Sequence, residues 1–235
     1  MGRVPFIPDV RIARAASELI RAHQAQNPGF LPPYSLDELI WDHLNSVDGL
    51  SLDDETPLGT HPETGETILG KTVLEGRVIF IDPAVKSQPY FRFTLAHEIG
   101  HWILHCRPHL PDPNQLSLFG DAQEEEDYPR EFTTYHRGLS VFTPSPGFDY
   151  EEIQANKFAA CLLMPEHDMR REFEARFPSP QICRPGMIDS FARQIANQGV
   201  HGLPSIREVF GTSIESTGYR LRDLGLISEE KPLFS

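Results

Sequence analysis

The pentapeptide His97-Glu98-Ile99-Gly100-His101 lies in a segment whose apolar residues recur at helical spacing, and it constrains this chain more than any other feature. On a helix, residues four apart share one face, so two imidazoles can meet one metal ion while Glu98 stands beside the open coordination position. Such a helix must be packed inside the protein. A second element must then bring up another ligand, because a catalytic zinc site ordinarily takes three protein ligands and keeps one position open. Seen down the axis, Thr94, His97, His101 and His105 share a face, while Leu95, Ile99, Trp102 and Ile103 face apolar surroundings. Gly100 is costly in a helix interior and makes sense there if another backbone or a substrate approaches closely.

With 235 residues and 39% hydrophobic content, the chain can build one generous domain or two small ones around a packed core. A formal net charge of -13 and a pI of about 5.2 count against a protein that grips nucleic acid or an anionic membrane. Direct DNA binding is therefore not expected. Cys106, Cys161 and Cys183 are too few and too scattered for a disulfide framework or a C-x-x-C metal site, and they read as reduced thiols. Met1 to Asp9 carries two prolines and an acid where a secretory signal needs an apolar run, and no segment approaches membrane-spanning length. The expected location is cytoplasmic, without a membrane partner.

Along the chain, Val10 to Ala25 reads as an amphipathic helix, with Ile12, Ala16, Leu19, Ile20 and His23 on one face. A second helix starts at Ser35, where Ser35 and Glu38 form an S-x-x-E capping box. Thr67 to Lys71 and Arg77 to Ile81 read as two strands around a turn at Glu75-Gly76, and the motif helix runs from about Phe91 to His105. This order describes an α+β domain with a small β-sheet and active-site helices. Residues 107–149, rich in proline and holding the acidic run Glu124 to Asp127, form an insertion in which no long amphipathic element fits. Tyr150 to Met164 returns to helical pattern and Pro165 closes it. A helix follows at about His167 to Arg176, and three short ones near Met187 to Asn197, Pro204 to Phe210 and Ser213 to Leu224 suggest a helix-turn-helix-like tail. The expected division is a domain over 1–170, interrupted by the insertion 107–149, and a helical region over 171–235.

His105 lies eight residues beyond His97, about 12 Å along the axis, too far to share an ion with it; a contact to substrate or to backbone suits it better. The helix from Tyr150 offers Glu152 and Asn156 on one face, and small Ala155 and Ala159 permit close packing. Glu152 can be the third ligand, with the Asn156 oxygen accepting a hydrogen bond from a zinc histidine. Glu151 is its rival. An acid in the first turn of a helix is also favoured by the helix dipole, so spacing alone leaves the two readings of Glu152 even.

The stretch Arg92 to His101, followed by Glu152-x-x-Ala155-Asn156-x-Phe158-Ala159-x-x-Leu162-Leu163-Met164-Pro165, resembles the ImmA/IrrE zinc peptidase family. The resemblance implies a zincin-like metallopeptidase domain in which His97, His101 and Glu152 hold Zn2+ and Glu98 is the catalytic base. It also implies a substrate, a helix-turn-helix repressor whose cleavage releases stress-response or mobile-element genes. Two histidines and a carboxylate would accept Mn2+ or Fe2+ as well. The long insertion before Glu152 departs from the family's compact pattern. Donors to a developing oxyanion could come from Tyr135, His136 and Arg137 in the insertion or from Tyr150. The strand Arg77 to Ile81, if it is an exposed edge, could pair with an extended substrate.

Two competing readings come from other classes. A transcription regulator could bind DNA through residues 187–227, using Arg207, Arg220 and Arg222 on phosphate with zinc as a structural ion; the interspersed acids Glu208, Glu215 and Asp223 count against it. A catalytically silent protein could sequester a partner, but a purely structural site gains little from Glu98.

Overall fold

The chain alternates helical and extended patterning before residue 110, and the computed structural model, which describes residues 5–110, 130–135, 150–200 and 202–230, turns that alternation into an α+β fold. Helix α1 (Asp9–Gln24) buries Ile12, Ala16, Leu19, Ile20 and His23, the stripe its spacing predicts. A helical stretch follows as α2 (Leu36–Glu38), a π-helical turn Leu39–Leu44 and α3 (Asn45–Asp48). The Ser35 hydroxyl accepts the Glu38 N–H at 3.3 Å, which is the Ser half of the expected capping box. Gly49, in the left-handed conformation at φ 73°, ends the stretch.

A four-stranded sheet comes next, formed by β1 (Ser51–Asp53), β2 (Ile68–Val73), β3 (Val78–Ile81) and β4 (Glu131–Tyr135) in the order β1-β3-β2-β4. Strands β2 and β3 form the expected antiparallel hairpin, with Thr72 opposite Ile79. The condition that Arg77 to Ile81 be an exposed edge is not met: β1 runs parallel to β3 on its far side, with Leu52 opposite Ile79, so β3 is interior. Among the described residues the edges are β1 and β4. Strand β4 adds a short regular element to 107–149, a stretch that has room for no long amphipathic one. It pairs antiparallel with β2, Phe132 opposite Thr72, and its alternate residues Phe132 and Thr134 are buried against the motif helix, as a half-buried strand requires.

Helix α4 (Phe91–His101) carries the pentapeptide and widens into a π-helical turn, Trp102–Cys106, where a uniform helix to His105 is predicted. Trp102 is fully buried and donates its indole N–H to Asp48 Oδ2 at 2.9 Å, tying the turn to the end of α3. Helix α5 (Tyr150–Leu163) crosses α4 at close range. A Cβ at Gly100 would stand 3.1 Å from the Ala155 Cα and carbonyl oxygen, so the glycine and the small Ala155 together let the two backbones approach.

After Pro165 the chain forms α6 (Glu166–Glu174), β5 (Gln181–Cys183), α7 (Ile188–Asn197), α8 (Ile206–Phe210), α9 (Ile214–Asp223) and β6 (Ile227–Glu229), with β5 and β6 paired in parallel. The three tail helices fall where their periodicity predicts; the strand pair is too short to leave a pattern. Arg220 is buried and donates to the Met164 carbonyl at 3.1 Å, while Arg176 donates to the Pro204 carbonyl at 2.9 and 2.7 Å. All three cysteines are free and buried, and no described helix is long and apolar enough to cross a membrane.

Candidate metal centre

Helix α4 presents His97 and His101 one turn apart, and the close approach of α5 brings Glu152 to the same point. His97 Nε2 and His101 Nε2 are 2.9 Å apart, and the Glu152 carboxylate oxygens lie 3.4 Å from the first and 3.2 Å from the second. Two ligand bonds of about 2.0–2.1 Å at a tetrahedral angle separate their donor atoms by about 3.3 Å, so these spacings fit one small divalent ion. Glu151, the rival of Glu152, is not in this cluster. Both imidazoles are fully buried, whereas the Glu152 side chain is 19% exposed and marks the open side.

The donor chemistry agrees. His97 Nδ1 faces Asn156 Oδ1 at 2.9 Å, and an amide oxygen only accepts, so the proton of neutral His97 sits on Nδ1 and Nε2 keeps its lone pair towards the cluster. Three Lewis bases thus converge within reach of one ion. Burial works against charge on His97, but the neighbouring Glu152 outweighs it and raises its pKa; burial would likewise push Glu152 up, but the two histidines hold it well below the usual carboxylate range. The pocket therefore favours a positive charge between these side chains.

Glu98 sits beside them, fully buried. Its Oε2 accepts the Thr72 hydroxyl at 2.6 Å, and that hydroxyl also lies 3.1 Å from the Glu98 carbonyl oxygen. Among the described residues Oε1 has no hydrogen-bond partner, and nor does the buried hydroxyl of Thr134 on β4, although Thr134 lies close enough to favour the charged carboxylate. Burial raises the Glu98 pKa against the opposing pull of His101 and His97. An unpartnered buried carboxylate oxygen costs free energy unless a water or substrate proton completes it, which is what a general base requires. Space for it comes from Gly70 on β2, where a Cβ would lie 2.4 Å from Oε1. Phe132 of β4 stacks on His101 with ring centroids 4.8 Å apart.

The remaining predicted residues divide. His105 is fully buried, its Nδ1 3.1 Å from His101 Nδ1 and its Nε2 3.0 Å from Gln154 Oε1, so it lies behind the cluster and meets side chains where the sequence reading expects a contact to substrate or to backbone. Burial, with His101 nearby, lowers its pKa to about 3, so it is neutral. Tyr135, at the end of β4, packs edge-on to His61 with centroids 5.6 Å apart, and burial together with Glu131, Glu66 and Glu152 raises its pKa. Tyr150 is 61% exposed and rests edge-on against Phe6 instead of entering the cluster. His136 and Arg137 lie outside the described residues. Gly70, Thr72, Thr134 and Gln154 are absent from the sequence reading; a glycine inside a strand is the available signal for the first, since it marks a close approach.

Residues 54–127 match the family described as Peptidase_M78, IrrE N-terminal-like domain. That stretch holds His97, Glu98 and His101 and ends before Glu152, so the fold, not the match, joins the carboxylate to the histidines. No curated protein matches the chain.

Proposed function

Because this match supports assigning the chain to the ImmA/IrrE peptidases, we propose that it is a metal-dependent endopeptidase that cuts a helix-turn-helix transcriptional repressor and so derepresses stress-response or mobile-element genes. The observation that carries the reading is the convergence of His97, His101 and Glu152 beside a buried Glu98 whose Oε1 has no partner among the described residues. His97, His101 and Glu152 would hold the ion, with zinc the best fit to two imidazoles and a carboxylate and Mn2+ or Fe2+ as alternatives. A zinc ion bound there supplies Lewis acidity, polarising the scissile carbonyl and making water a nucleophile at neutral pH.

The chain's own groups do the rest. Glu98 Oε1 takes a proton from the attacking water; as the C–N bond breaks, Glu98 returns it to the departing amine. Burial suits Glu98 to both tasks by raising its proton affinity, and Thr72 holds the other oxygen in place. Asn156 orients His97. Tyr135 is the described candidate for hydrogen bonding to the developing oxyanion. Among the described residues β4 is a sheet edge, and an extended peptide can add to it beside Thr134 and Glu98.

The tail supports packing or substrate recognition over DNA binding. Arg220 is buried against Met164, Arg222 is paired with Asp189, and Arg207 is bonded to Asn197, so these three guanidinium groups are engaged within the protein. Incubating the zinc- or manganese-loaded protein with helix-turn-helix repressors encoded by the same genome, and reading products by mass spectrometry, tests the proposal. One repressor cut at a defined bond is the expected outcome, and intact repressors throughout would refute it.

A further inference from the structure

We infer that His105 and Gln154 are positioning residues of the metal centre, and that the carbonyl of Pro5 anchors them: together they fix which nitrogen of His101 carries its proton. The inference rests on the reading of His97, His101 and Glu152 as ligands. It starts at the outer, part-buried end of a chain of hydrogen bonds that runs inward to the cluster. Gln154 Nε2 lies 3.2 Å from the Pro5 carbonyl oxygen, which can only accept, so the amide turns its NH2 to Pro5 and its Oε1 to His105. Oε1, 3.0 Å from His105 Nε2, also only accepts, so His105 is protonated on Nε2 and bare on Nδ1. That bare Nδ1, 3.1 Å from His101 Nδ1, accepts the His101 proton. His101 Nε2 then keeps its lone pair towards the cluster.

Reversing the first step shows why it matters. With the Gln154 amide flipped, its NH2 would face His105 Nε2, the His105 proton would move to Nδ1, and His101 would have to accept there. His101 would then carry its proton on Nε2, pointing at His97 Nε2 2.9 Å away and occupying the position a metal needs. The His105–Gln154 and His101–His105 contacts are direct, at 3.0 and 3.1 Å, between side chains that are fully buried or, for Gln154, 3% exposed. The flip also sets the Gln154 oxygen against the Pro5 oxygen, a contact between two acceptors that opposes it. The segment bearing Pro5 is held on α5 by two further contacts, the Phe6 and Tyr150 rings with centroids 6.3 Å apart and the ion pair of Lys157 with Asp9.

The test uses the full chain, 15N-labelled, first metal-free and then loaded with Zn2+, with long-range 1H–15N spectra reporting the tautomer of each histidine; the metal-free spectra carry the comparison, because a bound ion itself holds the His101 proton on Nδ1. His105 should be protonated on Nε2 with an unprotonated Nδ1. Gln154→Leu should lose that fixed pattern and weaken zinc binding about 10- to 100-fold in competition with a chelator, the usual effect of removing a group that orients a ligand. Gln154→Glu keeps an acceptor towards His105 but sets its second oxygen against the Pro5 carbonyl, so it should lose the Pro5 anchor; the wild-type tautomer, read directly, keeps the inference falsifiable where Gln154→Leu fails to fold. A wild-type His105 protonated on Nδ1 would overturn the inference, as would a Gln154→Leu protein with unchanged tautomer and unchanged zinc affinity. A wild-type chain that binds no zinc through His97 and His101 would overturn the ligand assignment itself, and this inference with it.

Discussion

Replacing Gly70 by Ala isolates the role of the space beside Glu98. The backbone of Gly70 is outside the left-handed region, so alanine brings no conformational strain, but its Cβ would stand 2.4 Å from Glu98 Oε1 and 2.9 Å from both Cδ and Cγ. Restoring ordinary contact near 3.4 Å requires the carboxylate to withdraw by about 1 Å. Glu98 is fully buried and its other oxygen is held by Thr72 at 2.6 Å, so it cannot swing into solvent. Overpacking of this kind costs about 1–3 kcal/mol. For a chain of this length, 2 kcal/mol corresponds to a fall in Tm of roughly 4–8 °C. A base displaced by 1 Å should also lose about 100-fold in turnover. The decisive assay is a double-mutant cycle by denaturant unfolding. In a Glu98→Ala background nothing remains for the new methyl group to strike, and Gly70→Ala should become neutral or stabilising by about 0.5–1 kcal/mol. The coupling is therefore expected at about 2–3 kcal/mol, and single-mutant effects that add within about 0.5 kcal/mol would refute the steric argument.

Three further outcomes follow from the same geometry. Glu152→Ala should lower bound zinc at a fixed free-metal concentration, measured by elemental analysis after equilibrium dialysis; an unchanged stoichiometry would transfer the ligand role to Glu151 or to a residue of the insertion. Asp48→Ala strands the Trp102 indole N–H and removes the partner of Arg107 at 3.1 Å, so it should cost about 1–3 kcal/mol by thermal unfolding, and an unchanged Tm would contradict the structural role of that contact. With Arg207, Arg220 and Arg222 engaged in the protein, the full chain should show no steeply salt-dependent binding to duplex DNA by fluorescence anisotropy. A steep salt dependence would restore the regulator reading.

How far the sequence could lead depended on the length of each signal. Helices α1, α4, α5, α7 and α9 each span enough turns for periodicity to stand out, and Gly100 announced the close crossing of α5 by being out of place in a helix. Glu152 and Asn156 could be paired because residues four apart share a face. Gln154 escaped the same reasoning, since it lies about 200° around the helix from Glu152 and acts through His105 instead of reaching the cluster directly. Strand β1 is three residues long, and β4 has five residues in a proline-rich stretch; neither is long enough for alternation to be distinctive. Nothing in the residues of β3 tells whether another strand covers its far side, so its edge is open only as a condition. Thr134 faces Glu98 only because β4 pairs with β2 from far along the chain, a relation that no local pattern encodes.

The central claim is that Glu98 is the base of a metal centre held by His97, His101 and Glu152. Glu98→Gln tests it most directly, because the amide keeps the shape of the side chain while removing the proton acceptor. Zinc content and cleavage of an identified repressor are to be measured on the same preparation, beside the wild-type chain. The account predicts one zinc per chain in both proteins, with cleavage lost in the variant. Cleavage at the wild-type rate by a zinc-loaded Glu98→Gln protein would contradict it.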